Sequence, residues 1–172
     1  MRRRRNEFAI EVPSDHWPED KAFLQMKAFV FRKWCDRADE NHQERPTDLS
    51  SACKFASLFS FAVLGGVVAG NHSHQFNIVN GTVFDLCAGA TDISSKNVYF
   101  HDQLFWGNDE HVQSVKSCVP RVAAWLKEFA GAPSAARLES EWISIFKVPQ
   151  APMLPGPSSA GTRFSLDIQR RI

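Results

Sequence analysis

Apolar residues recur with a helical period in two long stretches of the chain. Residues 19–39 carry apolar side chains at three- and four-residue spacing, which predicts an amphipathic helix. Residues 52–64 are apolar nearly all round and end at Gly65, so they predict a central buried helix that terminates there. Several good helix caps precede this second helix: Asp48, Ser50 and Ser51.

Shorter segments follow the two-residue period of strands. Residues 72–79 and 82–86 are separated by Asn80-Gly81, the dipeptide most typical of a tight β-hairpin. Residues 67–70 predict a strand before the hairpin, and a weak alternation over residues 7–12 predicts another near the start. The sequence therefore predicts a small antiparallel sheet.

The second half of the chain predicts more helices. Residues 88–107 have no clear period and predict mostly loop, and a helix begins near residue 109. We expect Pro120 to interrupt that helix before it resumes to about residue 130. A last amphipathic helix is predicted over residues 135–146.

The predicted fold is a single α+β domain, residues 1–147, in which the sheet packs on the buried helix. Residues 148–172 are rich in Pro, Gly and Ser and predict a flexible tail.

Composition narrows the class of protein. The 172 residues include 20 Lys+Arg and 19 Asp+Glu, so a uniformly basic nucleic-acid-binding surface is excluded. A hydrophobic fraction of 44% excludes a disordered chain. No apolar segment follows the initial arginines as a signal peptide requires, and the longest uncharged run is interrupted by glycines. We expect a cytoplasmic protein with no membrane contact.

One of the four cysteines stands where a helix activates a thiol. Four cysteines are too few for a disulfide scaffold, and we expect Cys35, Cys87 and Cys118 to serve only in packing. Cys53 lies in the first turn of the central helix, where N–H groups and the helix dipole favour the thiolate. A nucleophile is the use such a position suggests.

The hairpin register brings a histidine and an aspartate together. With a two-residue turn, Phe76 pairs with Asp85, and His74 becomes a diagonal neighbour of Asp85 on the same face. That face is otherwise apolar, so we expect it to meet the helix that carries Cys53. A buried His–Asp pair satisfies its own polar groups and orients an imidazole to take a proton from a thiol.

These segments resemble the core of transglutaminase-like, papain-related thiol enzymes. The resemblance covers about residues 48–87: the run SACKFAS around Cys53, Gly65-Gly-Val-Val, HQFNIV from His74, and Asn80-Gly81 before Asp85-Leu86. It implies Cys53 as nucleophile, His74 as general base and acid, and Asp85 as the orienting carboxylate. It also implies cleavage or transfer of amide bonds through a thioester, without metal or cofactor.

The expected function is therefore a thiol hydrolase or acyltransferase acting on amide or isopeptide bonds of a peptide or protein substrate. An aromatic loop over residues 99–106 suggests a cleft wall, and we expect Phe105, Trp106 and Asn71 to contact substrate. The backbone N–H of Cys53 is a natural donor for the oxyanion.

Two alternatives stay open. In the first, the chain is a non-catalytic interaction or nucleic-acid-binding module, in which Arg2, Arg3, Arg4 and Arg5 contact phosphates. In the second, His72 and His74 lie on one strand face and bind a metal, with Asp85 or Cys87 completing the set.

Overall fold

The computed structural model describes residues 9–93 and 98–129. The helices in these ranges are α1 (Lys21–Glu40), α2 (Cys53–Leu64), α3 (Gln103–Trp106) and α4 (Asp109–Glu128). The strands are β1 (Ala9–Glu11), β2 (Val67–Gly70), β3 (Gln75–Val79), β4 (Thr82–Phe84) and β5 (Phe100–Asp102). The expected last helix, the domain boundary at 147 and the predicted tail lie outside the described residues.

Helix α1 covers one side of the fold. It begins at Lys21 because the Asp20 carboxylate accepts the N–H of Phe23 at 2.8 Å and so caps the first turn. Its buried residues follow the predicted three- and four-residue spacing: Phe23, Met26, Phe29, Val30 and Ala38.

Helix α2 is the buried centre, as predicted. An unbroken run from Ala56 to Ala62 is buried, including two serines. The hydroxyl of Ser60 donates to the Ala56 carbonyl at 2.9 Å, so it needs no partner outside the helix. The helix ends at Gly65, which has a positive φ of 77° that glycine adopts without strain.

The sheet confirms the predicted α+β class and hairpin. Strands β2, β3 and β4 form an antiparallel sheet in that order, and β1 pairs separately with β5. Val79 pairs with Thr82 across a turn in which Asn80 and Gly81 both have positive φ, as the Asn-Gly dipeptide predicts. The ladder between β3 and β4 ends at the pair Asn77–Phe84, so Asp85 follows the strand and the predicted pairing of Phe76 with Asp85 is absent from it.

The prediction of which sheet face meets α2 was wrong. The amide of Asn77 donates to the Ser57 carbonyl of α2 at 3.0 Å, which puts the Gln75–Asn77–Val79 side against the helix. Phe76 and Val83 form a separate apolar cluster on the other side, covered partly by Tyr99. The sheet face that carries Phe76 and Val83 is therefore also buried, but beneath other segments of the chain rather than beneath α2.

The expected interruption at Pro120, in the helix that begins near residue 109, was also wrong. Helix α4 runs unbroken from Asp109 to Glu128 with Pro120 inside it. Buried side chains on both sides of the proline, including Val115 and Val122, hold the helix in the main apolar core. That packing offsets the ~3 kcal/mol that a proline costs inside a helix.

Residues 88–107, expected to be mostly loop, contain β5 and α3. The short strand exists only because β1 pairs with it, matching Ile10 with His101. A partner distant in sequence leaves no periodic signal in so short a segment.

Within the described ranges, no helix is long and apolar enough to cross a membrane.

Candidate active site

Cys53 is the first residue of α2 and is partly exposed. The predicted serine caps do not cap the helix, because its N-cap is Ala52 and no side chain bonds to the first turn. Helix N–H groups left without a side-chain partner attract negative charge, and a thiolate at this position benefits from the helix dipole.

Two aspartates hold the loop that leads into Cys53. Asp48 accepts the N–H groups of Ser50 and Thr91, each at 2.8 Å, and Asp92 accepts the N–H of Ser51 at 2.8 Å. Hydrogen bonds from Ser50 and Thr91 hold the pKa of Asp48 well below its usual range. We refer to these contacts between residues 48–51 and 91–92 as the entry clamp. It keeps Ser51 in the left-handed region at φ 63°, a strained position that supports a functional role.

His74 and Asp85 form a buried pair beside this helix start. The Nε2 atom of His74 lies 2.8 Å from Oδ2 of Asp85, and the residues are 2% and 5% exposed. The predicted contact between the two side chains is thus present, although His74 lies just before β3 and Asp85 just after β4 rather than within the paired strands. A buried carboxylate and imidazole are stabilised mainly by such pairing.

The carboxylate of Asp85 has donors at both oxygens. Oδ2 also accepts the hydroxyl of Tyr99 at 2.8 Å, and Oδ1 accepts the backbone N–H of Cys87 at 2.9 Å. The role of Tyr99 was missed from sequence, because nothing local to the aromatic run indicates which distant polar atom it reaches.

The electrostatics of His74 favour its charged form. Burial lowers the pKa of the imidazole, but the Asp85 carboxylate and then Cys53 outweigh it and raise the pKa to about 9. Nδ1 of His74 is buried without a hydrogen bond of ordinary geometry among the described residues. Because Asp85 occupies Nε2, Nδ1 is the ring nitrogen left for the Cys53 thiol.

Helix α2 is fastened to β3 directly beside this group. The amide of Gln75 donates to the Ser57 hydroxyl, and that of Asn77 donates to the Ser57 carbonyl. Cys53 lies one helical turn before Ser57, and His74 lies one residue before Gln75. The same contacts that align the two elements therefore align the thiol with the imidazole. Two amide residues in an apolar strand were the sequence signal for this link.

The other thiols match the expected packing roles. Burial, followed by the charges of Asp85 and Cys53, raises the pKa of Cys87 well above its usual value. Burial also raises the pKa of Cys118. Cys35 is half-buried, with its thiol 3.9 Å from the Pro46 carbonyl. Cys53 thus differs from them in standing at a helix start, where it raises the pKa of the neighbouring His74 imidazole.

Two of the residues expected to contact substrate, Asn71 and Trp106, are buried and hydrogen-bonded within the fold. Asn71 is buried, and its amide donates to the carbonyls of Val98 and Phe100 at 2.8 and 3.0 Å. Trp106 is also buried, and its indole N–H donates to the Gly70 carbonyl at 2.6 Å. Their polar groups are used inside the fold, so the structure does not present either to a substrate.

Phe105 is half-buried, with its ring centroid 4.2 Å from that of His111. Its expected contact with a substrate stays a prediction.

The histidines proposed as metal ligands are not arranged as a site. His72 is exposed beside Phe105, whereas His74 is buried on Asp85. In the described ranges, no three His, Cys, Asp or Glu side chains form a group that could hold a metal ion. The basic segment from Arg2 to Arg5 lies outside those ranges.

An open groove of about 550 Å³ borders the segment that follows Asp85. Its walls are α1, residues 47–49 and residues 86–90, and the lining is mainly apolar. Lys27, on its edge, donates to the Ala88 carbonyl at 3.1 Å.

Comparison of the chain with models of known families, with curated proteins and with solved structures finds no match.

Proposed function

We propose that this protein is a thiol hydrolase or acyltransferase acting on amide or isopeptide bonds, with Cys53, His74 and Asp85 as its triad. The observation that carries the proposal is the buried His74–Asp85 pair, 2.8 Å between Nε2 and Oδ2, beside a cysteine at a helix start. Membership of the transglutaminase-like, papain-related class is part of the proposal. It is supported by the position of Cys53 at the start of α2, by His74 directly before β3 and Asp85 directly after β4, and by the order of the three along the chain.

The acylation step assigns one task to each residue. The Cys53 thiolate attacks the carbonyl carbon and forms a C–S bond. The imidazolium of His74 gives its Nδ1 proton to the leaving amine nitrogen as the C–N bond breaks, which leaves a thioester. Asp85 holds the ring by Nε2 throughout and stabilises its positive charge until the proton is transferred.

The deacylation step decides between hydrolysis and transfer. Water or an acceptor amine attacks the thioester while neutral His74 takes a proton from it. The C–S bond breaks, the acyl group leaves as an acid or a new amide, and the thiolate–imidazolium pair is restored. The electrostatics support the imidazolium of this pair, because a His74 pKa of about 9 keeps the ring charged at neutral pH.

The groove provides space for the acyl side of an apolar substrate. Its lining includes Leu24, which is 49% exposed, together with Phe31, Leu49 and Leu86. The groove adjoins both the segment after Asp85 and the segment before Cys53. Lys27 and Asp48 already have partners in the fold, and Glu19 lies 3.9 Å from the Lys27 ammonium, so the mainly apolar lining favours an apolar side chain.

Alkylation by iodoacetamide across pH tests the proposal, with the modified cysteine identified by mass spectrometry. We expect Cys53 to react selectively at a pH well below the ~8.5 of an ordinary thiol. His74→Ala should abolish this selectivity. His72→Ala is the matched control, because it removes an exposed imidazole two residues away. Slow labelling of Cys53 with the pH dependence of a free thiol would overturn the proposal.

A further inference from the structure

Tyr99 and His74 meet at a single oxygen atom. Oδ2 of Asp85 accepts the Tyr99 hydroxyl at 2.8 Å and lies 2.8 Å from Nε2 of His74. The other carboxylate oxygen is held by the N–H of Cys87 at 2.9 Å. Rotation of the carboxylate would therefore break bonds at both of its ends.

The ring of Tyr99 is itself held on several sides. It meets Phe76 and His74 edge to face, with ring centroids 5.3 and 6.0 Å away. His16, from the segment that pairs with β4, lies 4.6 Å from it. The phenol is thus fixed by packing before its hydroxyl contacts Asp85.

We propose that Tyr99 is a positioning residue of this site: its hydroxyl holds the Asp85 carboxylate in the one orientation that keeps His74 directed toward Cys53. This inference rests on the proposed function and adds a fourth residue to it. Tyr99 acts through Asp85 and takes no part in bond making or breaking.

The hydroxyl is suited to the role over the working pH range. Burial and the Asp85 charge raise the pKa of the Tyr99 phenol above its usual value, so it stays a donor. A donor that never releases its proton keeps the carboxylate charged and oriented while His74 exchanges its own proton.

The first test is Tyr99→Phe, read through the pH profile of Cys53 alkylation. We expect the rate of Cys53 labelling at neutral pH to fall about tenfold, the size of one hydrogen bond to a charged group. The acidic limb of the pH profile, where the labelling rate rises with pH, should move to higher pH. Ser60→Ala is the control, because it removes another buried hydroxyl from the fold. If Tyr99→Phe lowers the melting temperature but leaves the acidic limb of the labelling profile in place, or moves that limb to lower pH, the inference is overturned.

The second test is a double-mutant cycle with Asp85→Asn. If Tyr99 acts through the carboxylate, Tyr99→Phe should change Cys53 labelling by less than about twofold once Asp85 is already Asn. An undiminished tenfold effect in that background would show that Tyr99 acts by another route.

The third test observes Tyr99 directly by fluorine NMR. Tyr99 is the chain's single tyrosine, so growth on 3-fluorotyrosine labels this position alone. We expect one fluorine resonance that shifts with pH near 9, as His74 titrates across the shared oxygen, and that loses this response in Asp85→Asn. A resonance insensitive to His74→Ala would overturn the inference.

The two proposals fail in different ways. If wild-type Cys53 labels like a free thiol, the proposed function fails. If wild-type Cys53 is labelled selectively and Tyr99→Phe has the wild-type labelling rate and the wild-type acidic limb, only the role of Tyr99 fails.

Discussion

The imidazole of His74 and the carboxylate of Asp85 share a hydrogen bond of 2.8 Å although both residues are almost wholly buried. The pair closes the end of the β3–β4 hairpin next to the start of α2. A charged imidazole in this position needs the carboxylate, because burial alone would leave it neutral. Stability and the proposed reactivity of Cys53 therefore depend on the same contact.

The folded state should lose stability at alkaline pH through His74. Its pKa is about 9 in the fold against an ordinary 6.5, so the favourable contribution is complete below about 6.5 and is lost as pH rises through 9. Urea denaturation of the wild type should show the midpoint falling over this range. Asp85→Asn should flatten the decline. A variant with the full wild-type slope would contradict the assignment.

The folded state should also lose stability in acid through His111. Burial, followed by the charge of Lys54, lowers the pKa of this imidazole to about 4. The unfolded chain binds a proton below the ordinary value of 6.5 and the native chain does not, so stability falls between 6.5 and 4. Melting temperatures measured over this interval should decline less steeply in His111→Phe.

The exposed His42 provides the control for this experiment, since His42→Gln should leave the acid slope unchanged. Burial lowers the pKa of His101 as well, so some slope should persist in His111→Phe. A wild-type slope in that variant would contradict the prediction.

Removing the Ser57 hydroxyl should destabilise the contact between α2 and β3. Ser57→Ala leaves the buried Gln75 amide without its acceptor, which costs about 1–3 kcal/mol. Because the two side chains are partners, Ser57→Ala with Gln75→Met should cost less than the sum of the single changes. Urea unfolding measures all three. Ser60→Ala is the comparison, since its hydroxyl bonds only within α2. Strict additivity would contradict the prediction.

Filling the groove should hinder bulky apolar reagents from reaching Cys53 without changing the reactivity of its thiol. Ala28 lines the groove on α1, and Ala28→Trp should slow alkylation of Cys53 by a bulky apolar chloroacetamide about tenfold, the size of one lost apolar contact. Iodoacetamide is small enough to bypass the groove, so its rate should not change. Ala22→Trp, on an exposed position of the same helix, is the control. Equal slowing of both reagents would contradict the assignment of the groove.

Local patterns predicted much of the fold and part of the site. The Asn80-Gly81 turn set the register of Ile78 with Val83, and strand alternation then put His74 and Asp85 on one side. The apolar run after Cys53 predicted the central helix. Each of these depends on residues close together in sequence, which is why periodicity was sufficient.

Other features depended on partners far along the chain. Pro120 is tolerated because side chains on both sides of it pack into a core formed largely by other elements. Asn71 looked available for a substrate, yet its amide is used by Val98 and Phe100, more than 25 residues away in the sequence. Propensity and pattern carry no information about such contacts.

The sequence by itself determined which residues share a face, and only the tertiary structure decided what each face meets. Alternation relates His74 to Phe76 and Gln75 to Asn77, but it is equally compatible with either side of the sheet lying on α2. Bonds to Ser57 settle that choice, and they are possible only once helix and strand have packed together. The bond from Tyr99 to Asp85 arises in the same way, from packing between segments that are not neighbours in sequence.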